Sequence, residues 1–273
     1  NKLTRRAFMD QLQVYAVGSL TVPAILKYLL PDYENKQQVL VDDPRLDTIM
    51  MEYDSPKGGG MIKAQLSQPA GNTSKLPGIV VVHENRGLNP HIADVGRRAA
   101  LSGFISISPD ALTPLGGYPG NDDDGRTMQL KRDRGEMLED FIAAFEFLRN
   151  HENCSGNVGV VGFCFGGSIS NLMAAKCPKL KASVPFYGGQ APLEMVPDIQ
   201  APLLLQFAEN DKRVNAGRAP YEEALTANGK EFTSYEYPGT QHGFHNDTTP
   251  RFNEAAAQLA WGRTIDFFKE KLK

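Results

Sequence analysis

Cysteine is scarce. There are three in 273 residues, an odd number spread through the chain. That excludes a disulfide framework and leaves free thiols as the interesting reading. A surplus of basic charge is also missing: Lys plus Arg is 29 against 32 for Asp plus Glu, a formal charge of -3. Nothing in the composition favours nucleic acid as a partner. The chain lacks an internal repeat, a low-complexity tract, a phosphate-binding loop and a dinucleotide glycine fingerprint, and no Cys or His pair has zinc-ligand spacing at a credible site. No cofactor and no metal are therefore expected. No long uninterrupted apolar run exists either. The longest candidate, Val14 to Leu30, is broken by Pro23 and Lys27, so no membrane span is expected. What remains is ordinary, at 41% hydrophobic and 22% charged residues. This composition excludes disorder, collagen-like repeats and a multi-span membrane protein. The length suits one large α/β domain or two small ones.

The N-terminal stretch stands apart. Leu3-Thr4-Arg5-Arg6-Ala7-Phe8-Met9 looks like a twin-arginine export motif, but no Ala-x-Ala-type cleavage signal follows it. The preferred expectation is a helical extension over residues 1–45, with a signal-like segment as the alternative. The chain is accordingly expected in the cytoplasm, or in the periplasm if Arg5-Arg6 is a working signal.

From Leu46 the pattern changes. Thr48–Tyr53 and Ile62–Leu66 read as two strands joined by a Pro56–Gly60 turn, a hairpin. A strand and helix alternation follows. Gly78–His83, Phe104–Ser108, Val158–Gly162, Ala182–Tyr187, Pro202–Phe207 and Phe232–Tyr237 read as strands. Ile92–Ser102, Met137–Leu148, Tyr221–Ala227 and a C-terminal segment marked by Trp261, Ile265, Phe268 and Leu272 read as helices. Continuous apolar strands between helices predict a mostly parallel central sheet covered on both faces. Sites in such sheets lie at the carboxyl ends of the strands. Leu112 to Asp124 reads as one long loop. Its Asp122-Asp123-Asp124 run is expected to be solvated, with a hard-cation site as the alternative. Its glycines, Gly116 to Gly120, suit a lid.

At one strand end, Gly162-Phe163-Cys164-Phe165-Gly166-Gly167 fits Gly-x-nucleophile-x-Gly. Small residues on either side let a strand and a helix approach around a strained turn that presents the nucleophile. The following helix N-terminus favours a thiolate, and the Phe165 N–H is placed to meet an oxyanion. A thiol nucleophile needs a base, and the base an acid, in the chain order nucleophile, acid, base. Asp211 follows the Pro202–Phe207 strand and His242 follows the Phe232–Tyr237 strand. The candidate triad is therefore Cys164, Asp211 and His242. Glu209 is the second-choice acid. His245 could support His242, although a structural role is the simpler reading. His83 reads as structural, His91 and His151 as helix-surface residues, and Cys154 and Cys177 match no motif.

With these residues in place the chain resembles the dienelactone hydrolase family, from about Leu46 to Lys273. The resemblance rests on Val81-Val82-His83-Glu84-Asn85-Arg86-Gly87-Leu88-Asn89-Pro90, Ser108-Pro109-Asp110, the Cys164 elbow, Phe207-Ala208-Glu209-Asn210-Asp211 and His242-Gly243-Phe244. The Glu-Asn-Arg-Gly-Leu-Asn form resembles an enterobacterial-type branch that carries an extra N-terminal helical region. The resemblance implies a single α/β-hydrolase domain over residues 46–273. It implies the Cys164, Asp211, His242 triad and an oxyanion hole from the backbone N–H groups of Phe165 and Asn85. It further implies that Glu84 gates the thiol. Arg86, two residues on, is our candidate to neutralise Glu84. The family clamps its substrate carboxylate with two arginines, at positions where this chain has Asn246 and Leu115-Gly116-Gly117. Asn does not replace a bidentate arginine. Arg86, Arg126 and Arg251 are other candidates for an anion contact.

The leading expectation is thus a cofactor-free, carboxymethylenebutenolidase-like hydrolase of a small ester or lactone, working through a thioester, with a homodimer as a candidate assembly. A thioesterase, amidase or phosphotriester hydrolase on the same residues is the second reading. A non-catalytic protein using Cys164 as a redox-responsive thiol is the third.

Overall fold

The structure, a computed structural model, describes residues 31–273. Of the helical extension expected over residues 1–45, residues 1–30 lie outside the described residues. Residues 31–45, assigned to the same extension, form turns and extended chain instead of a helix. They cross the domain as a strap. The Asp94 carboxylate accepts the backbone N–H groups of Gln38 and Val39, and the Asp32 N–H donates to the Thr248 carbonyl.

Strands β1 (Leu46–Ser55) and β2 (Gly60–Pro69) form the expected hairpin, with Leu46 opposite Pro69 and Ser55 opposite Gly60. The others are β3 (Leu76–Val82), β4 (Ile105–Pro109), β5 (Cys154–Phe163), β6 (Ala182–Phe186), β7 (Leu203–Asn210) and β8 (Phe232–Gln241). They make one eight-stranded sheet in the order β1-β2-β4-β3-β5-β6-β7-β8. Only the β1–β2 and β2–β4 pairings are antiparallel.

The helices are α1 (Pro90–Leu101), α2 (Asp122–Gln129), α3 (Arg134–Arg149), α4 (Phe165–Lys176), α5 (Lys212–Asn215), α6 (Arg218–Ala227) and α7 (Glu254–Lys271). Strand β3 shows why helices cover both faces. Val80 and Val82 pack with Phe141 and Phe145 of α3 and Met173 of α4, whereas Ile79 and Val81 pack with Ile92 of α1 and Phe268 of α7. A strand with no polar face must be buried twice. Side-chain caps set the helix starts: Asn89 accepts from the Ile92 N–H at α1, and Asp133 accepts from Gly135 and Glu136 at α3. No helix among the described residues is long and apolar enough to cross a membrane.

The chain leaves β3 for β4 on one side and reaches β5 on the other. Such a switch point opens a crevice at the strand carboxyl ends. The residues after β3 and β5 line it.

Candidate active site

Cys164 sits between β5 and α4 with φ 57° and ψ −108°. A non-glycine residue there carries strain of order 1–3 kcal/mol, held in place by its surroundings. Two backbone bonds hold it: the Cys164 N–H donates to Phe186 O at 3.0 Å, and Cys164 O accepts from the Ser168 N–H at 3.2 Å. The close packing that the motif demands is present. A Cβ on Gly162 would overlap the Gly166 carbonyl, one on Gly166 would overlap the Val82 carbonyl, and one on Gly167 would come within 2.6 Å of Phe186 O. The thiol is partly exposed, whereas Cys154 and Cys177 are buried. Burial pushes Cys177 up to about 12.

His242 follows β8, and its Nδ1 lies 2.5 Å from Oδ2 of Asp211, just past β7. Nε2 is then the nitrogen left to face Cys164. Burial works against a charged His242 ring, but hydrogen bonds with Asp211 and Cys164 outweigh it and raise the pKa to about 9. Burial would likewise raise Asp211, yet the hydrogen bond and charge of His242 hold its carboxyl below the usual range. Tyr187, at the end of β6 with φ 36°, is buried and lays its ring 5.1 Å from that of His242.

The other sequence candidates separate from this group. Glu209 is exposed and accepts from the Gly239 N–H at 2.7 Å, tying β7 to the β8 turn. His245 is buried, stacked 5.0 Å from Phe163, and burial keeps it neutral. His83 is buried and kept neutral in the same way. Its Nδ1 is 2.5 Å from Glu84 O, and its Nε2 accepts from the Ala111 N–H. His91 corrects the surface expectation. It faces inward on α1, 1% exposed, with Nδ1 3.0 Å from Asp247. The polar face of α1 is buried as well as its apolar one, because Asp247 and the strap supply partners.

Glu84 is buried, and its Oε2 accepts from Asn246 Nδ2 at 2.9 Å. Arg86 is 3.6 Å from the same oxygen but 3.1 Å from Asp122 Oδ2. It is shared between two carboxylates. Burial opposes its charge, while Glu84 and Asp122 together raise its pKa. Asp122 is therefore not a solvated loop residue. Asn121 caps α2, and Asp122 stands in its first turn, accepting at Oδ1 from the hydroxyls of Tyr33 (2.7 Å) and Tyr118 (3.1 Å). Asn89 Nδ2 donates to the Tyr33 oxygen at 2.8 Å. The strap thus reaches the site through Tyr33. The glycine segment read as a lid is pinned: the Asp110 carboxylate accepts from the Leu88, Leu112 and Tyr118 N–H groups.

Glu84, Asn85, Arg86, Cys164, Phe165 and His242 all line one cleft of about 920 Å³. Asp211 stands behind His242. Sequence reasoning missed Tyr33, Tyr118 and Tyr187, read Asp122 only as part of a solvated acidic run, and saw Asn246 only as an arginine's replacement. No motif marks the tyrosines. Asp122 alone carried a signal, as an acidic residue directly after Asn121.

The family model for "Dienelactone hydrolase family" matches residues 62–272. The chain belongs to the dienelactone hydrolase family. It is an α/β-hydrolase-fold enzyme that hydrolyses ester bonds. A Synechocystis protein provisionally named carboxymethylenebutenolidase is 30% identical over 236 residues, covering 80% of this chain and 95% of its own. An Escherichia coli K12 chain provisionally named hydrolase fragment YghX is 46% identical over 114 residues, 42% of this chain and 97% of that one. Among solved structures, a provisionally assigned dienelactone hydrolase from Klebsiella pneumoniae superposes with a TM-score of 0.73 at 25% identity, over 82% of this chain and 99% of that one. In this family member the Asn246 side chain is turned to Glu84.

Proposed function

We propose that this dienelactone hydrolase family member cleaves a small carboxylic ester or lactone through Cys164, His242 and Asp211, by way of a thioester. The observation that carries the reading is the Asp211–His242 contact of 2.5 Å beside a cysteine at φ 57°. In the first step His242 holds the thiol proton while sulfur bonds to the carbonyl carbon. The C–O bond to the alcohol then breaks, and His242 returns the proton to the departing oxygen. In the second step His242 takes a proton from water, hydroxide attacks the thioester, and the acid leaves as the thiol is restored. Asp211 fixes the imidazole tautomer and offsets its charge. Phe165 and Asn85 line the cleft, and in this reading their backbone N–H groups hold the oxyanion.

Glu84 and Arg86 gate the thiol in this reading. A carboxylate beside a developing thiolate opposes it. Asn246 and Arg86 both contact Oε2 of Glu84, and Asp122 tempers Arg86 in turn.

Intact-protein mass spectrometry during turnover of aryl acetates and small lactones tests the proposal. An acyl adduct that forms and decays on the wild type, and is absent from Cys164→Ala, is expected. Turnover that survives Cys164→Ala would rule out the thioester route.

A further inference from the structure

The cleft above Cys164 has a charge opposite to that of the chain. The protein is formally -3, yet the cleft is lined by Arg86, Arg126, Arg132, Arg134, Arg213 and Arg251 and by a single carboxylate, Glu84. Two of the six arginines are committed. Arg86 lies between Glu84 and Asp122, and Arg132 pairs with Asp140 at 2.9 Å. The other four are exposed and form no ion pair among the described residues.

Their placement is two-sided. Arg126 on α2 and Arg134 at the start of α3 belong to the segment that follows β4. Arg134 lies over the Phe165 ring at 5.8 Å. Arg213 on α5 follows β7, and Arg251 follows β8, where its guanidinium would sit 3.5 Å from a Cβ on Gly243. In the sheet, β5, which Cys164 directly follows, stands between β4 and β3 on one side and β6, β7 and β8 on the other. One unpaired arginine couple therefore comes from elements on the β4 side of the nucleophile strand, and the other from elements on its β7–β8 side.

We propose that the substrate is an ester or lactone with anionic groups, carboxylate or phosphate, on both the acyl and the alcohol side of the scissile bond. One end is drawn by Arg126 and Arg134, the other by Arg213 and Arg251. The proposal rests on the ester-hydrolysis reading above. Exposed guanidinium groups are individually weak in water, but several of one sign around a concave wall focus their field. Guanidinium binds either carboxylate or phosphate in a bidentate fork.

The test uses the full chain and the succinyl ester of 4-hydroxybenzoate, which carries a carboxylate at each end. Its two mono-methyl forms and its dimethyl form block one or both charges. We expect kcat/KM for the doubly charged ester to exceed that for the dimethyl ester by about tenfold or more at low salt. The advantage should shrink severalfold near about 0.5 M salt. The R126Q/R134Q variant should lose the preference for charge at one end, and R213Q/R251Q at the other. Phosphate in place of either carboxylate distinguishes the two anion sources. Equal turnover of charged and blocked esters, or a preference that survives both double variants, would overturn the inference while leaving the thiol mechanism standing. A binding readout covers the converse case. Succinate and longer dicarboxylates should protect Cys164 from alkylation by iodoacetamide better than their diamides do. Absence of that difference overturns the proposal even if no ester is hydrolysed.

Discussion

Individual side chains set the chemistry through their neighbours. His242 is the clearest case. Its folded pKa of about 9 exceeds the ordinary value of 6.5, so its interactions favour the folded state fully below about pH 6.5. That contribution is lost as pH rises through about 9. Urea midpoints measured across this range should fall for the wild type and stay flatter for His242→Gln; parallel curves would argue against the assignment. Asn246 makes a second test. Asn246→Ala removes the donor to a buried carboxylate, Glu84, and should cost about 1–3 kcal/mol in denaturant unfolding. It should also slow acylation, because Glu84 would be free to turn toward the thiol. Tyr33→Phe is milder. It removes one hydroxyl from Asp122, with an expected loss of about 1 kcal/mol. Its kcat/KM should fall more than its stability if Arg86 is set by Asp122.

At the scale of elements, the glycines around the nucleophile separate packing from flexibility. Gly162→Ala would drive a methyl into the Gly166 carbonyl, which is backbone and cannot yield without moving α4. Overpacking of this kind costs about 1–3 kcal/mol or more, and acyl-adduct formation should vanish with it. Gly262, inside α7, meets nothing within 4 Å. Gly262→Ala should stabilise the protein by about 1 kcal/mol, read as a rise in urea midpoint. The same elements show what a sequence can convey. Every predicted strand and helix from Thr48 onward is present, because buried strands such as β3 and helices such as α3 write their partners into apolar spacing. The elbow and the Asp211 and His242 placements were legible for a related reason, since each follows a strand end. Helix α2 was not legible. Its sequence from Asp122 to Gln129 has no apolar face, and it forms because Asn121 caps it and Asp122 finds Arg86. His91 was misread for the mirror-image reason: a polar residue on α1 is buried against a partner 156 positions away, Asp247.

For the molecule as a whole, the strap and the loop after β8 form one polar seam. Arg98 bridges Asp94 and Asp247, at 2.6 Å from the latter, while Asp94 holds the strap backbone and Asp247 accepts from Gln38. All three charged groups are buried. Removing one member leaves a buried charge without its partner, so Arg98→Met should cost about 3–5 kcal/mol in urea unfolding. A loss under about 1 kcal/mol, within the surface-pair range, would show that water reaches the seam.

The seam also orders events in time. Tyr33 and Gln38 are among the first described residues to be synthesised, yet Gln38 waits for Asp247, 209 positions later, before its contact exists. Closing so long a loop is slow compared with forming hairpins or helices. Asp122 gains its Tyr33 hydroxyl only when the strap lies down, so the setting of Arg86 belongs to the end of folding. In refolding from urea, helical circular dichroism should return before hydrolytic activity does. The delay should shorten in a circular permutant whose new ends leave the strap joined directly behind Lys273.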